Sequence, residues 1–104
     1  MRRPWSAILI GTLATMALLA SARADRRAGL ELARQWCASC HLVAPAGRGT
    51  DTAPPFEAMA NDRAYTPARL RSWLLAPHPP MPNFNLTRGE IEDIVEYLDS
   101  LRTK

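Results

Sequence analysis

Residues 36–41 read Trp36-Cys37-Ala38-Ser39-Cys40-His41, and no other stretch of the 104-residue chain restricts its fold so strongly. Two thiols lie three positions apart, and an imidazole follows the second directly. In a helical turn the two sulfurs project on nearby sides of the backbone, so each can add to one vinyl group on the same edge of a porphyrin. The next residue then sits below the iron. A neutral imidazole nitrogen is a good axial ligand, and tethering the macrocycle on both sides of it makes the iron–histidine bond effectively intramolecular. These residues lead us to expect one covalently attached haem, bound through Cys37 and Cys40 with His41 on the iron. A thiol redox pair and a simple disulfide are the alternatives. A thioredoxin-like site opens a helix after a strand, and no β-branched run precedes Cys37. Zinc fares worse, because the adjacent Cys40 and His41 cannot easily close on one tetrahedral ion and only His78 offers a further nitrogen.

The chain ahead of this motif has the pattern of an export signal. Arg2 and Arg3 form a basic start, Ala7 to Ala20 is apolar or small throughout, and Ala22-Arg23-Ala24 supplies an A-x-A cleavage site. Residues 1–24 are therefore expected to be a signal peptide and residues 25–104 the domain, delivered outside the cytoplasm. The alternative is an uncleaved anchor, since Trp5 to Ala22 is just long enough to span a bilayer. Of 13 basic and 10 acidic residues, Arg2, Arg3 and Arg23 leave with the leader, so the domain holds 10 of each sign. That balance gives no support to nucleic-acid binding, which needs a concentrated basic face. A domain of 80 residues also struggles to build an adequate core unaided. A buried haem would supply the staple, and its absence should leave the chain poorly folded.

The domain reads as short helices joined by Pro- and Gly-rich loops, with no competing strand pattern. Arg27 to Trp36 places Gly29, Leu32, Ala33 and Trp36 on one face and runs into the cysteine motif. Pro45, Gly47, Gly49, Pro54 and Pro55 break the next stretch. Phe56, Met59 and Ala60 suggest a short helix closed near Asn61. Thr66 as N-cap with Pro67 behind it opens another, with Leu70, Trp73 and Leu74 on one face and Pro77 at its end. Thr87 and Glu90 form a capping box, and Leu86 can staple onto Ile91. In that last helix Ile91, Ile94, Val95, Leu98 and Leu101 make the buried stripe. Glu92, Asp93, Glu96 and Asp99 are expected to face water.

The CASCH motif, with this order of helices, resembles the class I, monohaem cytochrome c family. The resemblance covers essentially the whole domain and implies an all-α cytochrome c-like fold around one haem c. In that family the first and last helices cross beside the haem with a glycine at the contact, which implies Gly29 set against Tyr97. The family often carries an aromatic four residues before the first cysteine. Here that residue is Ala33, and Trp36 is the candidate to compensate. The resemblance further implies that a proline carbonyl accepts from the proximal imidazole, Pro54 being the nearest match and Pro55 an alternative. It makes Trp73 and Arg48 candidates to bond the haem propionates. Core packing for Trp73 and a surface position for Arg48 are the competing roles.

Four prolines in Pro77-His78-Pro79-Pro80-Met81-Pro82-Asn83 fix φ and remove backbone donors, leaving a stiff extended strap. The strap falls where the family's distal methionine loop lies, so Met81 is expected as the sixth ligand, with Asn83 or Asn85 orienting its sulfur. A thioether is soft and neutral, and it favours ferrous iron. His78 is the rival ligand, while Met59 sits on an apolar helical face and suits core packing. The expected function is single-electron transfer in the bacterial periplasm by a monomer that is not an enzyme, with redox proteins as donor and acceptor. An anchored cytochrome subunit of a respiratory or dehydrogenase complex is one alternative. A haem enzyme or ligand sensor with a labile sixth site is the other. The even charge balance predicts a modest salt dependence of electron exchange.

Overall fold

Thr87 starts the helix on which the rest of the structure is assembled. Its hydroxyl accepts from Glu90 N–H at 3.2 Å while the Glu90 carboxylate accepts from Thr87 N–H at 3.3 Å, closing the expected capping box. The computed structural model describes residues 23–45, 50, 52–77 and 79–103. The expectations for Arg48, His78 and the leader ahead of residue 23 lie outside the described residues. The described chain is all-α, with α1 (Arg26–Trp36), α2 (Phe56–Asn61), α3 (Pro67–Leu75) and α4 (Arg88–Ser100). Each of the first three packs against α4, and none of them packs against another. Ile91, Ile94, Val95, Tyr97 and Leu98 are the buried residues of α4. Ala33, Val43, Phe56 and Leu70 join them in one core, and Leu86 and Leu101 lie against it half-buried.

The α1–α4 crossing is set by Gly29. A Cβ built there would overlap the Asp93 carbonyl and lie 2.9 Å from the Tyr97 Cβ, so the two backbones approach as only glycine allows. One turn on, Ala33 is fully buried. Trp36, expected on the same face as Gly29 and Ala33, is less buried than they are. It is 40% exposed and lies against Phe84, with ring centroids 5.4 Å apart.

Helix α1 begins one residue earlier than expected, because the Asp25 carboxylate accepts from Arg27 N–H at 2.8 Å and from Ala28 N–H at 3.4 Å. The Asp25 amide in turn donates to Asp93 Oδ1 at 2.7 Å. Glu92 accepts from Arg71 of α3 at 2.6 Å. The acidic face of α4 is therefore divided: Glu96 and Asp99 are exposed, while the half-buried Glu92 and Asp93 tie α3 and the start of α1 to α4. Charged side chains beside a crossing become tethers whenever a partner helix presents a donor, and the helical period of α4 alone cannot show this.

Helix α3 has the expected Thr66 cap, accepting from Arg69 N–H at 3.2 Å, and Pro67 in its first turn. Helix α2 closes at Asn61, whose side chain donates to Glu57 O at 2.8 Å and Leu101 O at 3.1 Å and accepts from Thr103 N–H at 2.7 Å. That one amide fastens the end of α2 to the segment that follows α4. Among the described residues no helix is long and apolar enough to cross a membrane.

Candidate functional site

Because α1, α2 and α3 meet α4 but not one another, the space between them is a cavity of about 500 Å³. That volume is in the range of pockets that enclose organic cofactors. Cys37, Cys40 and His41 line it from the end of α1. Phe56 and Met59 come from α2, Leu70 and Trp73 from α3, and Ile94 and Leu98 from α4; Pro80, Met81 and Pro82 of the strap complete the wall. Among the described residues no charged side chain lines it.

The cysteine motif continues the last turn of α1. Cys37 N–H donates to Ala33 O at 2.8 Å, and both Cys40 and His41 N–H donate to Cys37 O, at 3.2 and 2.9 Å. One turn of backbone thus carries both thiols and the imidazole. Cys37 is buried and Cys40 exposed. Burial pushes the Cys37 thiol up to about 11, so at neutral pH it is protonated and sits as an apolar group.

The next loop folds back along this turn through two backbone bonds, Ala53 N–H to Cys40 O at 2.8 Å and Phe56 N–H to Leu42 O at 3.0 Å. Between them, the Pro54 carbonyl lies 2.6 Å from His41 Nδ1. A carbonyl only accepts, so Nδ1 carries the proton and Nε2 keeps the lone pair that can bind a metal. The Pro55 carbonyl is engaged elsewhere, accepting from Met59 N–H at 3.0 Å in the first turn of α2. The Phe56 ring meets the imidazole edge-on, with centroids 5.2 Å apart at 60°.

Met81 is half-buried and lines the same cavity as His41, while Met59 lines it from α2 and packs on the core. Asn83 and Asn85 are not in the cavity wall. The Asn83 side chain accepts from Asn85 N–H at 2.9 Å and supports Asn85 in a left-handed conformation at φ 52°. Trp73 stands in the wall with Tyr65 edge-on at 5.1 Å and the Arg69 guanidinium 5.1 Å from its ring. The sequence did not mark Phe56, Tyr65 or Phe84 as wall residues. Only the placement of Phe56 directly after Pro54-Pro55 could have signalled its contact with the imidazole.

These residues fit a haem. The wall is apolar and rich in rings, one turn carries two thiols, one imidazole nitrogen is free to bind iron, and a thioether faces the same space. Zinc is a poor fit, since among the described residues no three His, Cys, Asp or Glu side chains converge.

Comparison with known proteins gives the same direction. A family model described as cytochrome c oxidase, cbb3-type, subunit III matches residues 24–98. Among curated proteins, the cytochrome c-552 of Bradyrhizobium diazoefficiens is 44% identical over 81 residues, covering 76% of this chain and 77% of that protein. No solved structure matches.

Proposed function

This chain belongs to the c-type cytochromes, electron-transfer proteins with covalently bound haem c; from that premise we propose that it is a periplasmic carrier of single electrons with His41 and Met81 on the iron. When bound, the haem supplies a one-electron couple between ferric and ferrous iron. Cys37 and Cys40 would tether the macrocycle and His41 Nε2 would supply a ligand to its iron. The Pro54 carbonyl holds the imidazole in the required tautomer and makes it a stronger donor. Met81 offers a neutral sulfur that favours the reduced state. Trp73 and Arg48 are assigned to the propionates. The chain exchanges electrons with redox protein partners and converts no substrate of its own. The bond from His41 to Pro54 carries the reading, because it frees Nε2 in a ring that shares its cavity with Met81.

The ferric protein is expected to show the weak sulfur-to-iron charge-transfer band in the far red. Met81→Ala should abolish the band and His78→Ala should leave it intact. A wild type without the band that becomes high-spin in His78→Ala would assign the sixth position to His78. The matched family's description as an oxidase subunit favours a second reading, in which the leader is kept as an anchor and the domain serves a respiratory complex. The mass of the purified native protein separates the two: a domain beginning at Asp25 plus one haem supports the free carrier, and the full chain plus one haem supports the subunit.

A further inference from the structure

His41 is held from more directions than its bond to Pro54. The Phe56 ring that meets it edge-on lies against Tyr97 of α4, with centroids 6.4 Å apart. The Tyr97 hydroxyl donates to the carbonyl of Val43, two residues beyond His41. Val43 is 1% exposed, Phe56 4% and Tyr97 6%, so none of them has room to relax without displacing a neighbour. Tyr97 thus reaches the imidazole by two routes, through a ring on one side and through the backbone that follows the histidine on the other.

We propose that Tyr97 is a positioning residue for the proximal imidazole. Its ring and hydroxyl, acting through Phe56 and Val43, fix the orientation of His41 and the strength of the bond to Pro54. The proposal rests on His41 being an iron ligand.

The mechanism follows from the bonds around the loop. The Val43 carbonyl is buried, so loss of its donor leaves an acceptor without a partner, and the peptide turns to find one. That turn pulls on Leu42, whose carbonyl accepts from Phe56 N–H, and so moves the segment carrying His41 against the segment carrying Pro54. A weaker bond from Nδ1 to Pro54 makes the imidazole a poorer donor. Ferric iron loses more from this than ferrous iron does, so the reduction potential rises. A group that served stability alone would lower the melting point and leave the potential in place.

The test uses the holoprotein in four forms: wild type, Tyr97→Phe, Phe56→Leu and Asn61→Ala. Tyr97→Phe keeps the ring and removes the hydroxyl, while Phe56→Leu keeps an apolar side chain and removes the ring edge. Asn61→Ala loosens the segment after α4 from the end of α2 opposite Phe56 and removes no bond to Tyr97, Val43 or His41. Redox titration and proton NMR of the His41 ring are the readouts. Tyr97→Phe and Phe56→Leu should each shift the redox equilibrium several-fold toward the reduced form and move the His41 Nδ1–H resonance. Asn61→Ala should lower the melting point and change neither. Normal hyperfine-shifted His41 signals in the wild type that stay unchanged in both variants overturn this proposal alone. A wild-type ring with no hyperfine shift overturns the ligand assignment and the proposal with it. Should Tyr97→Phe fail to fold, Phe56→Leu decides by the same two readouts.

Discussion

A methyl group added at Gly29 has nowhere to go. Helix propensity favours alanine over glycine by about 1 kcal/mol, but here the new atom would overlap the Asp93 carbonyl, which is backbone and cannot swing aside. The steric effect wins, since forcing an atom into a close-packed contact costs roughly 1–3 kcal/mol. Gly29→Ala should therefore lower the melting temperature of the holoprotein, and a rise would show that the helices do not meet at this point. Tyr97 carries a pH dependence. Burial raises its phenol above the ordinary tyrosine value, with Arg34 pulling more weakly the other way. The unfolded chain then loses this proton first, so stability holds at neutral pH and falls as pH rises through about 10. Denaturant midpoints measured from pH 8 to 11 should show that fall in the wild type and a smaller one in Tyr97→Phe. The sequence made Gly29 legible by its register against the cysteine motif. It left Pro54 and Pro55 as alternatives, because the next-but-three amide that occupies the Pro55 carbonyl becomes visible only once α2 exists. The exposure of Trp36 was not legible for a related reason. Helical spacing gives a direction around α1, but the depth of that direction is set by Phe84, a residue far along the chain.

Among the helices, α4 was the most legible, since its cap, staple and apolar stripe all point to one start and one buried face. Thr87→Ala removes the hydroxyl that accepts from Glu90 N–H and keeps the backbone N–H that donates to the Glu90 carboxylate, and the loss should be about 1 kcal/mol in denaturant unfolding. Arg71→Gln breaks an ion pair whose members are each 43% exposed, so its effect should lie at or below that of the cap. If the Arg71 variant proves the more damaging, the tether between α3 and α4 matters more than the helix end. Helix α1 was less legible at its start, because the pattern that makes Asp25 the first residue of a processed domain says nothing of its cap on Arg27 and Ala28. Glu92 and Asp93 share the helical register of solvent-facing residues. Only the arrival of Arg71 and of the Asp25 amide gives them other work.

For the molecule as a whole, the decisive feature is that three helices lean on a fourth and surround a space that none of them fills. An apolar cavity of about 500 Å³ is a large deficit for a domain of this size, so the folded state depends on its occupant. Replacing Cys37 and Cys40 by alanine should yield a chain without bound haem, without a cooperative melting transition and with reduced helical circular dichroism. A cooperative, fully helical variant would show that the helices suffice by themselves. The sequence identified the covalent end of this cavity through CASCH. Met81 and Trp73 marked other parts of the wall, while Tyr65 and Phe84 stayed hidden, because tertiary packing brings them to the cavity and no local spacing marks them.

The helix that receives the others is also the last of the four to be synthesised. Until it emerges, the chain holds segments of 11, 6 and 9 helical residues, all shorter than the length at which a helix persists alone in water. A nascent chain that has reached only residue 87 therefore has nothing to close upon, and the turn bearing Cys37 stays open although it was made early. Both thiols stay reachable until the cavity is filled, and the packing of α4 around the occupant ends that interval, with Cys37 buried in the folded chain.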